Sequence, residues 1–394
     1  MKIAALCSTY FPLSHADVIV SRWLEARPSD AKWGWQPRSE IAALFVDQFP
    51  PNDLSREKSA RFGVPIFGSI KETLCLGGKT LAVDAVLLIG EHGDYPLNHF
   101  GQKLYPRAEW FAQIASVFQL SGGAVPVWND KALSWSGALA REVIETARVQ
   151  NIPLMAGSSA PLCGFDAPFP FENQPVSDAV SLFYGGPEIY GFHSLELSQS
   201  ALEQRLGNEC GLESVVALEG ADVWRALDEG EIAIDLFELA LQAARYVEAG
   251  NVRLNCRDRT DLDAVLSESH IRGGVTATAQ EFWPRSPLAF LARHRDGLRV
   301  AHVMLEGHLG DYCVAARSGD RTWAARMDTS GAAEFHPHFA IQNAHIETFF
   351  RTRIPAAPLE RTFFSTLATE KWMHALQNPK TRLETPNWMM EYAR

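Results

Sequence analysis

Residues 84–107, DAVLLIGEHGDYPLNHFGQKLYPR, decide the fold. The stretch begins with an unbroken apolar run, Ala85, Val86, Leu87, Leu88 and Ile89. A run that does not alternate is the pattern of a strand buried on both faces, as in a parallel sheet with helices on each side. Gly90 then breaks it into a loop dense with Glu91, His92, Asp94, Tyr95, His99, Lys103, Tyr105 and Arg107. Ligands of open α/β sheets bind beyond the carboxyl ends of the strands, which makes this loop a candidate site.

Upstream, residues 2–7 read as a first strand, Ser14 caps a helix, and residues 41–46 form a second strand ending at Asp47. Asp53 caps a short polar helix, and residues 64–67 make a third strand. Downstream, Pro106 opens a helix to about residue 120, where the missing N–H is tolerated. Residues 125–128 and 153–156 are two more strands, with a helix over 134–150 between them. This strand–helix alternation predicts a Rossmann-like, doubly wound parallel sheet over residues 1–158. Residues 160–176 then carry Pro161, Pro168, Pro170 and Pro175, the composition of a domain join. From residue 287 short strands are joined by turn pairs such as Asp296-Gly297 and Ser318-Gly319. Two helices close the chain, over 337–351 and 358–377. Residues 159–394 therefore read as an α+β domain with an open antiparallel sheet, for substrate binding or oligomerisation.

The chain of 394 residues is 46% hydrophobic and 21% charged, as a soluble globular protein is, with room for two domains. A net charge of −11 speaks against a nucleic-acid surface, which needs a basic patch. No apolar run reaches membrane-spanning length, so no membrane partner is expected. The start reads as a strand and not as a signal peptide. The cysteines Cys7, Cys75, Cys163, Cys210, Cys256 and Cys313 are scattered, with no CxxC pair, so a reducing cytoplasm is the expectation.

Four groups of residues carry candidate chemistry. The turn after strand one, Cys7-Ser8-Thr9-Tyr10-Phe11-Pro12-Leu13, has no glycine where a dinucleotide fold places G-x-G-x-x-G. Tyr10 and Phe11 are expected to crowd that position. Ser8, Tyr10, Glu91 and Asp47 are the cofactor-side candidates, Asp47 because an acid at the end of strand two accepts from a ribose hydroxyl. Ser14, His15 and Asp17 either bind an anion or cap the helix. Next comes the loop after strand four, where Glu91, His92 and Asp94 have the density of acid–base or metal-ligating residues. Asp94 and Tyr95 are substrate candidates there. After strand five, Asp130 and Lys131 project toward the same crevice, and a lysine so placed serves as general acid or base. Finally, Tyr190, His193 and Glu196 lie on one predicted helix, with His193 and Glu196 three apart on one face. Glu196 is expected to orient the imidazole, or both to ligate a metal. Further on, His308 is a substrate candidate near a strand turn. His336, His338 and His345 with Glu347 match no zinc signature and read as helix-cap and surface residues. Trp283 and Arg285 carry no reading alone.

With these pieces in place, the chain resembles the glucose–fructose oxidoreductase and inositol dehydrogenase (Gfo/Idh/MocA) family. That family pairs a Rossmann domain with an α+β domain on an open antiparallel sheet. Asn129-Asp130-Lys131-Ala132 is similar to its Glu-Lys-Pro segment, whose lysine is catalytic. His193 and Glu196 match the last two positions of its Asp…His…Asp helix motif, with Ile189 in place of the first. Leu359-Glu360-Arg361-Thr362 and Leu383-Glu384-Thr385-Pro386 also look family-like. The resemblance implies a small polyol or sugar-like substrate, NAD or NADP as cofactor, and a homo-oligomer through the second sheet. Two other readings stay open. One is a nicotinamide-independent lyase or hydrolase, with a divalent metal held by His92, Asp94, His193 and Glu196. The other is a non-catalytic binding subunit.

Overall fold

A computed structural model describes residues 1–256, 287–328, 336–386, 388 and 390–392; Trp283 and Arg285 lie outside them. The first sheet contains β1 (Lys2–Cys7), β2 (Glu40–Val46), β3 (Ile66–Phe67), β4 (Ala85–Ile89), β5 (Val127–Asp130) and β6 (Leu154–Gly157). All of its pairings are parallel, in the order β3-β2-β1-β4-β5-β6. β4 is buried at every residue. It lies beside β1 in a register that sets Cys7 opposite Ile89, so the turns after both strands open on one crevice.

The second sheet contains β7 (Asp178–Phe183), β8 (Leu212–Glu219), β9 (Leu288–His294), β10 (Arg299–Met304), β11 (Cys313–Ser318), β12 (Arg321–Arg326) and β13 (Leu383–Glu384). Its order is β12-β11-β7-β10-β9-β8-β13. β7 and β10 run parallel and every other pair is antiparallel, which makes the sheet mixed. The segment between β7 and β10 is long and contains helices, as a parallel neighbour requires. Residues of β7 alternate between the two faces. Ala179 and Phe183 join a core with Leu195 and Trp372, from helices Tyr190–Leu202 and Leu359–Ala375. Phe290 stacks on Trp372 at 4.2 Å on that face. Val180 and Leu182 join the opposite core with Val223, Leu236, Phe237 and Ala240, from helices Ala221–Asp228 and Ile234–Ala243. Helices of the chain itself therefore pack on both faces of the sheet.

Helix His338–Thr352 returns to the first sheet, where Phe339, Ile346 and Phe349 share a core with Ile3, Val18 and Trp35. The carboxylate of Glu347 accepts from Trp35 Nε1 (3.1 Å), Arg38 N (2.9 Å) and Ser39 Oγ (2.8 Å). Glu347 is thus a tie between the chain's two ends and not the surface residue expected. No helix among the described residues is long and apolar enough to cross a membrane.

Candidate active site

The loop after β4 is anchored to the turn after β1: Ser8 Oγ donates to the Glu91 carbonyl at 2.5 Å. The Glu91 side chain is 2% exposed and ion-paired with both Arg107 and Lys131, the latter at 2.9 Å. Arg107 reaches it by crossing Gly90, where a Cβ would stand 2.8 Å from Arg107 Cγ. Burial alone would raise the Glu91 carboxyl. Lys131 and then Arg107 overcome that effect and hold it well below the usual carboxylate range.

Lys131 and His92 both adopt left-handed backbone, with φ of 63° and 69°. Non-glycine residues there cost about 1 kcal/mol or more each, strain that gathers at functional sites. The Lys131 N–H is held on the Gly157 carbonyl at 3.0 Å. Beside it, His15 Nδ1 lies 2.5 Å from Asp130 Oδ2, so Asp130 binds a protein histidine rather than standing free for substrate. The His15 ring centre is 5.4 Å from His92, 6.4 Å from His193 and 5.4 Å from Phe339. The ends of β1, β4 and β5 and two helices thus converge on one cluster. Burial pushes His92 down to about 3, and burial with Lys131 pushes His193 well below the usual histidine range. Both rings are neutral near pH 7.

His193 Nδ1 pairs with Ser158 Oγ at 2.5 Å. Glu196, expected to hold this imidazole, instead accepts from the Ser158 N–H at 3.3 Å. It fills the space that a Cβ on Gly157 would need, 2.6 Å away, and burial pushes its carboxyl up to about 7. Ser158 is the orienting group that the sequence reading missed; its place immediately after β6, at a strand's carboxyl end, was the available signal. Tyr190 stands by the cluster as expected, 6.5 Å from the His193 ring, with Tyr312 at 6.1 Å. Behind Lys131 lies a cavity of ≈ 30 Å³ lined by Glu91, Arg107, Lys131, Glu188, Thr366 and Thr369, with room for water. Burial, opposed by the Lys103 N–H, pushes Glu188 up to about 8.

Other expected site residues are placed elsewhere. Tyr10 is fully buried in the core of the first sheet, with its hydroxyl on Ser21 at 2.8 Å, so it neither crowds the crevice nor offers a side chain to a cofactor. Asp47 accepts from Tyr95 Oη at 2.7 Å, and Gln48 bonds the backbone N–H (2.7 Å) and carbonyl (3.2 Å) of Asp94. These bonds hold the Asp94 backbone and the Tyr95 hydroxyl on residues just beyond β2. His308 bonds Asn255 at 2.8 Å, among the residues packed over the far face of the second sheet. His92, Asp94, His193 and Glu196 do not converge, and no group of His, Cys, Asp or Glu among the described residues has the arrangement of a metal site.

The fold implies a nicotinamide dinucleotide, whose diphosphate needs backbone N–H groups at the turn after β1. The residues present do not fit it. Phe11 N donates to Ser14 Oγ (3.1 Å), Pro12 has no N–H, Leu13 N donates to Asp17 Oδ2 (3.0 Å), and Ser14 N donates to the Phe11 carbonyl (3.0 Å). From Phe11 to Ser14 no backbone N–H is left for a phosphate.

No protein-family model matches the chain, and no curated protein does. Solved structures do match it over nearly its whole length. The probable dehydrogenase from Thermotoga maritima is 12% identical, covers 98% of each chain and has a TM-score of 0.58. GenD2 from gentamicin A biosynthesis, in complex with NAD, is 12% identical over 98% of this chain and 96% of its own, with a TM-score of 0.57. The scyllo-inositol dehydrogenase from Lactobacillus casei, with NAD(H) and scyllo-inositol bound, is 10% identical over 98% of each chain, with a TM-score of 0.57. At these identities the likeness establishes architecture: the chain has the two-sheet fold of the inositol and sugar dehydrogenases, as its resemblance to the Gfo/Idh/MocA family implies.

Proposed function

We propose that the chain is an oxidoreductase-type enzyme that acts on a small polyol or sugar-like substrate in the crevice, with Lys131 and His193 handling the substrate's hydroxyl proton. The observation that carries the reading is the buried Lys131–Glu91 ion pair, beside a neutral His193 held by Ser158. Lys131 supplies a cation to an oxygen that develops negative charge. With the His193 Nδ1–H donating to Ser158 Oγ, Nε2 is the atom that accepts the proton. Tyr190 and Tyr312 offer hydroxyls and apolar ring faces to a hydroxylated ligand. The inositol-bound neighbour supports the substrate class. The diphosphate of the cofactor bound by the two NAD-bound neighbours does not fit the β1 turn here, so the hydride that leaves the substrate carbon would pass to a hydride acceptor held in the crevice without that anchor, while these residues take the hydroxyl proton.

The test is incubation of the purified protein with inositols, hexoses and sugar acids, each with and without NAD⁺ or NADP⁺, followed by NMR. Consumption of one such compound is expected, and Lys131→Met should slow it roughly 10²–10⁴-fold, the size of a general acid–base contribution. If nothing in the panel is consumed, or if Lys131→Met matches the wild type, the reading fails; the second outcome would favour a binding subunit or a different site.

A further inference from the structure

We infer that this chain has filled the diphosphate-holding end of its crevice with a carboxylate of its own, Asp17, and takes its ligand without a dinucleotide anchor. Three observations meet here. The first is the turn itself, whose N–H groups from Phe11 to Ser14 are spent within the turn or absent. The second is the identity of the group that spends one of them, the Leu13 N–H. Asp17 lies in the first turn of helix His15–Glu25 and accepts from Leu13 N through Oδ2 and from Ser21 Oγ (2.6 Å) through Oδ1. Ser14 Oγ in turn accepts from Asp17 N at 3.3 Å as the helix N-cap, so Asp17 and Ser14 together tie the turn to the helix end. A helix N-terminus attracts one anion, and here the anion is built in, so a diphosphate would meet like charge as well as missing donors. The third is the rest of the path. The bonds from Asp47 to Tyr95 and from Gln48 to Asp94 fold a loop over the end of β2, where a ribose would sit. On the other side, the His15 ring reaches across to Asp130 on β5.

In the turn, the buried side-chain atom Thr9 Oγ1, on a residue 2% exposed, has no hydrogen-bond partner among the described residues. A single hydroxyl both donates and accepts, which matches a ligand hydroxyl, whereas a diphosphate needs several donors at once. The crevice is therefore chemically matched to an uncharged or weakly charged hydroxylated ligand.

The experiment is fluorescence titration of the full chain with NADH and NADPH, and calorimetry with ADP-ribose, on the wild type and on Asp17→Asn. Wild type should show no saturable binding up to about 1 mM, weaker than any affinity of cofactor class. Asp17→Asn keeps an acceptor for Leu13 N and removes the charge. It should bind ADP-ribose more tightly than wild type, by roughly fivefold or more, about what relief of a single like-charge contact gives. Saturation of wild type at micromolar NADH or NADPH overturns the inference. So does the absence of any gain in a folded Asp17→Asn protein. Neither result depends on turnover: wild type that binds NADH removes this inference and leaves Lys131 chemistry standing, whereas an unimpaired Lys131→Met does the reverse.

Discussion

Two buried charge clusters, one in each half of the chain, use the same residue types to opposite ends. In the second, Arg205 pairs with Glu209 (3.1 Å) and Asp296 (2.6 Å), Glu209 also binds His294 (3.0 Å) and Gln199 (2.7 Å), and Glu203 binds Arg361 and Tyr392 Oη (3.1 Å). Each of these side chains has partners, and the cluster locks a helix, a hairpin and the C-terminal segment together. In the crevice, Glu91, Arg107 and Lys131 are as deeply buried, but Arg107 Nε and His92 Nε2 have no hydrogen-bond partner among the described residues, and a cavity adjoins Arg107 and Lys131. A closed network specifies packing; an open one keeps unsatisfied donors for something else. That difference, more than the presence of charge, singles out the crevice as the candidate site.

The sharpest way to break the comparison is to cut each cluster once. Arg361→Met leaves Glu203, which is wholly buried, without its cation, and the loss should be roughly 3–5 kcal/mol in denaturant unfolding. Lys131→Met should cost less stability, because Arg107 still faces Glu91, while turnover of the substrate collapses. A Lys131→Met protein destabilised as much as Arg361→Met would make both clusters structural. A smaller effect comes from Gly157→Ala, whose Cβ would meet Glu196 and Thr362. About 1–3 kcal/mol is expected from overpacking, with φ of 123° adding strain. Displacement of Glu196 from Ser158 should also weaken the hold on His193, visible as a raised His193 pKa by NMR.

The smallest effect is one of pH. Glu188 titrates near 8 when folded and near 4.5 when unfolded, so above pH 4.5 the folded state binds the extra proton. Its stabilising share is complete below 4.5 and fades as pH rises through 8. Glu188→Gln should therefore flatten the fall in melting temperature between pH 7 and 8 relative to wild type. An unchanged slope would mean that Glu188 is ionised throughout.

Much of this was legible in the sequence where local pattern decides the outcome. The apolar run of residues 85–89 gave the buried central strand, and strand–helix alternation gave the doubly wound order. Lys131 and His193 were found because their positions follow from that order: one ends β5, the other opens a helix facing it. What escaped was pairing at a distance. His15 meets Asp130 across 115 positions, and Glu347 meets Trp35 across 312; no periodicity encodes either. Tyr10 was misplaced for a related reason. Position in a turn does not say whether a ring lies over the crevice or folds beneath the helix, and the Ser21 hydroxyl made the inward choice favourable.

The covered second sheet has a consequence for how the molecule behaves in dilute solution. Because helices of the same chain bury both faces of the sheet, its folding is unimolecular at that surface. Mass action then has nothing to act on there, and the melting temperature should be the same at nanomolar and at micromolar protein. Self-association at other surfaces, such as the edges of β12 and β13, which have no strand partner among the described residues, would add to a subunit that is already folded.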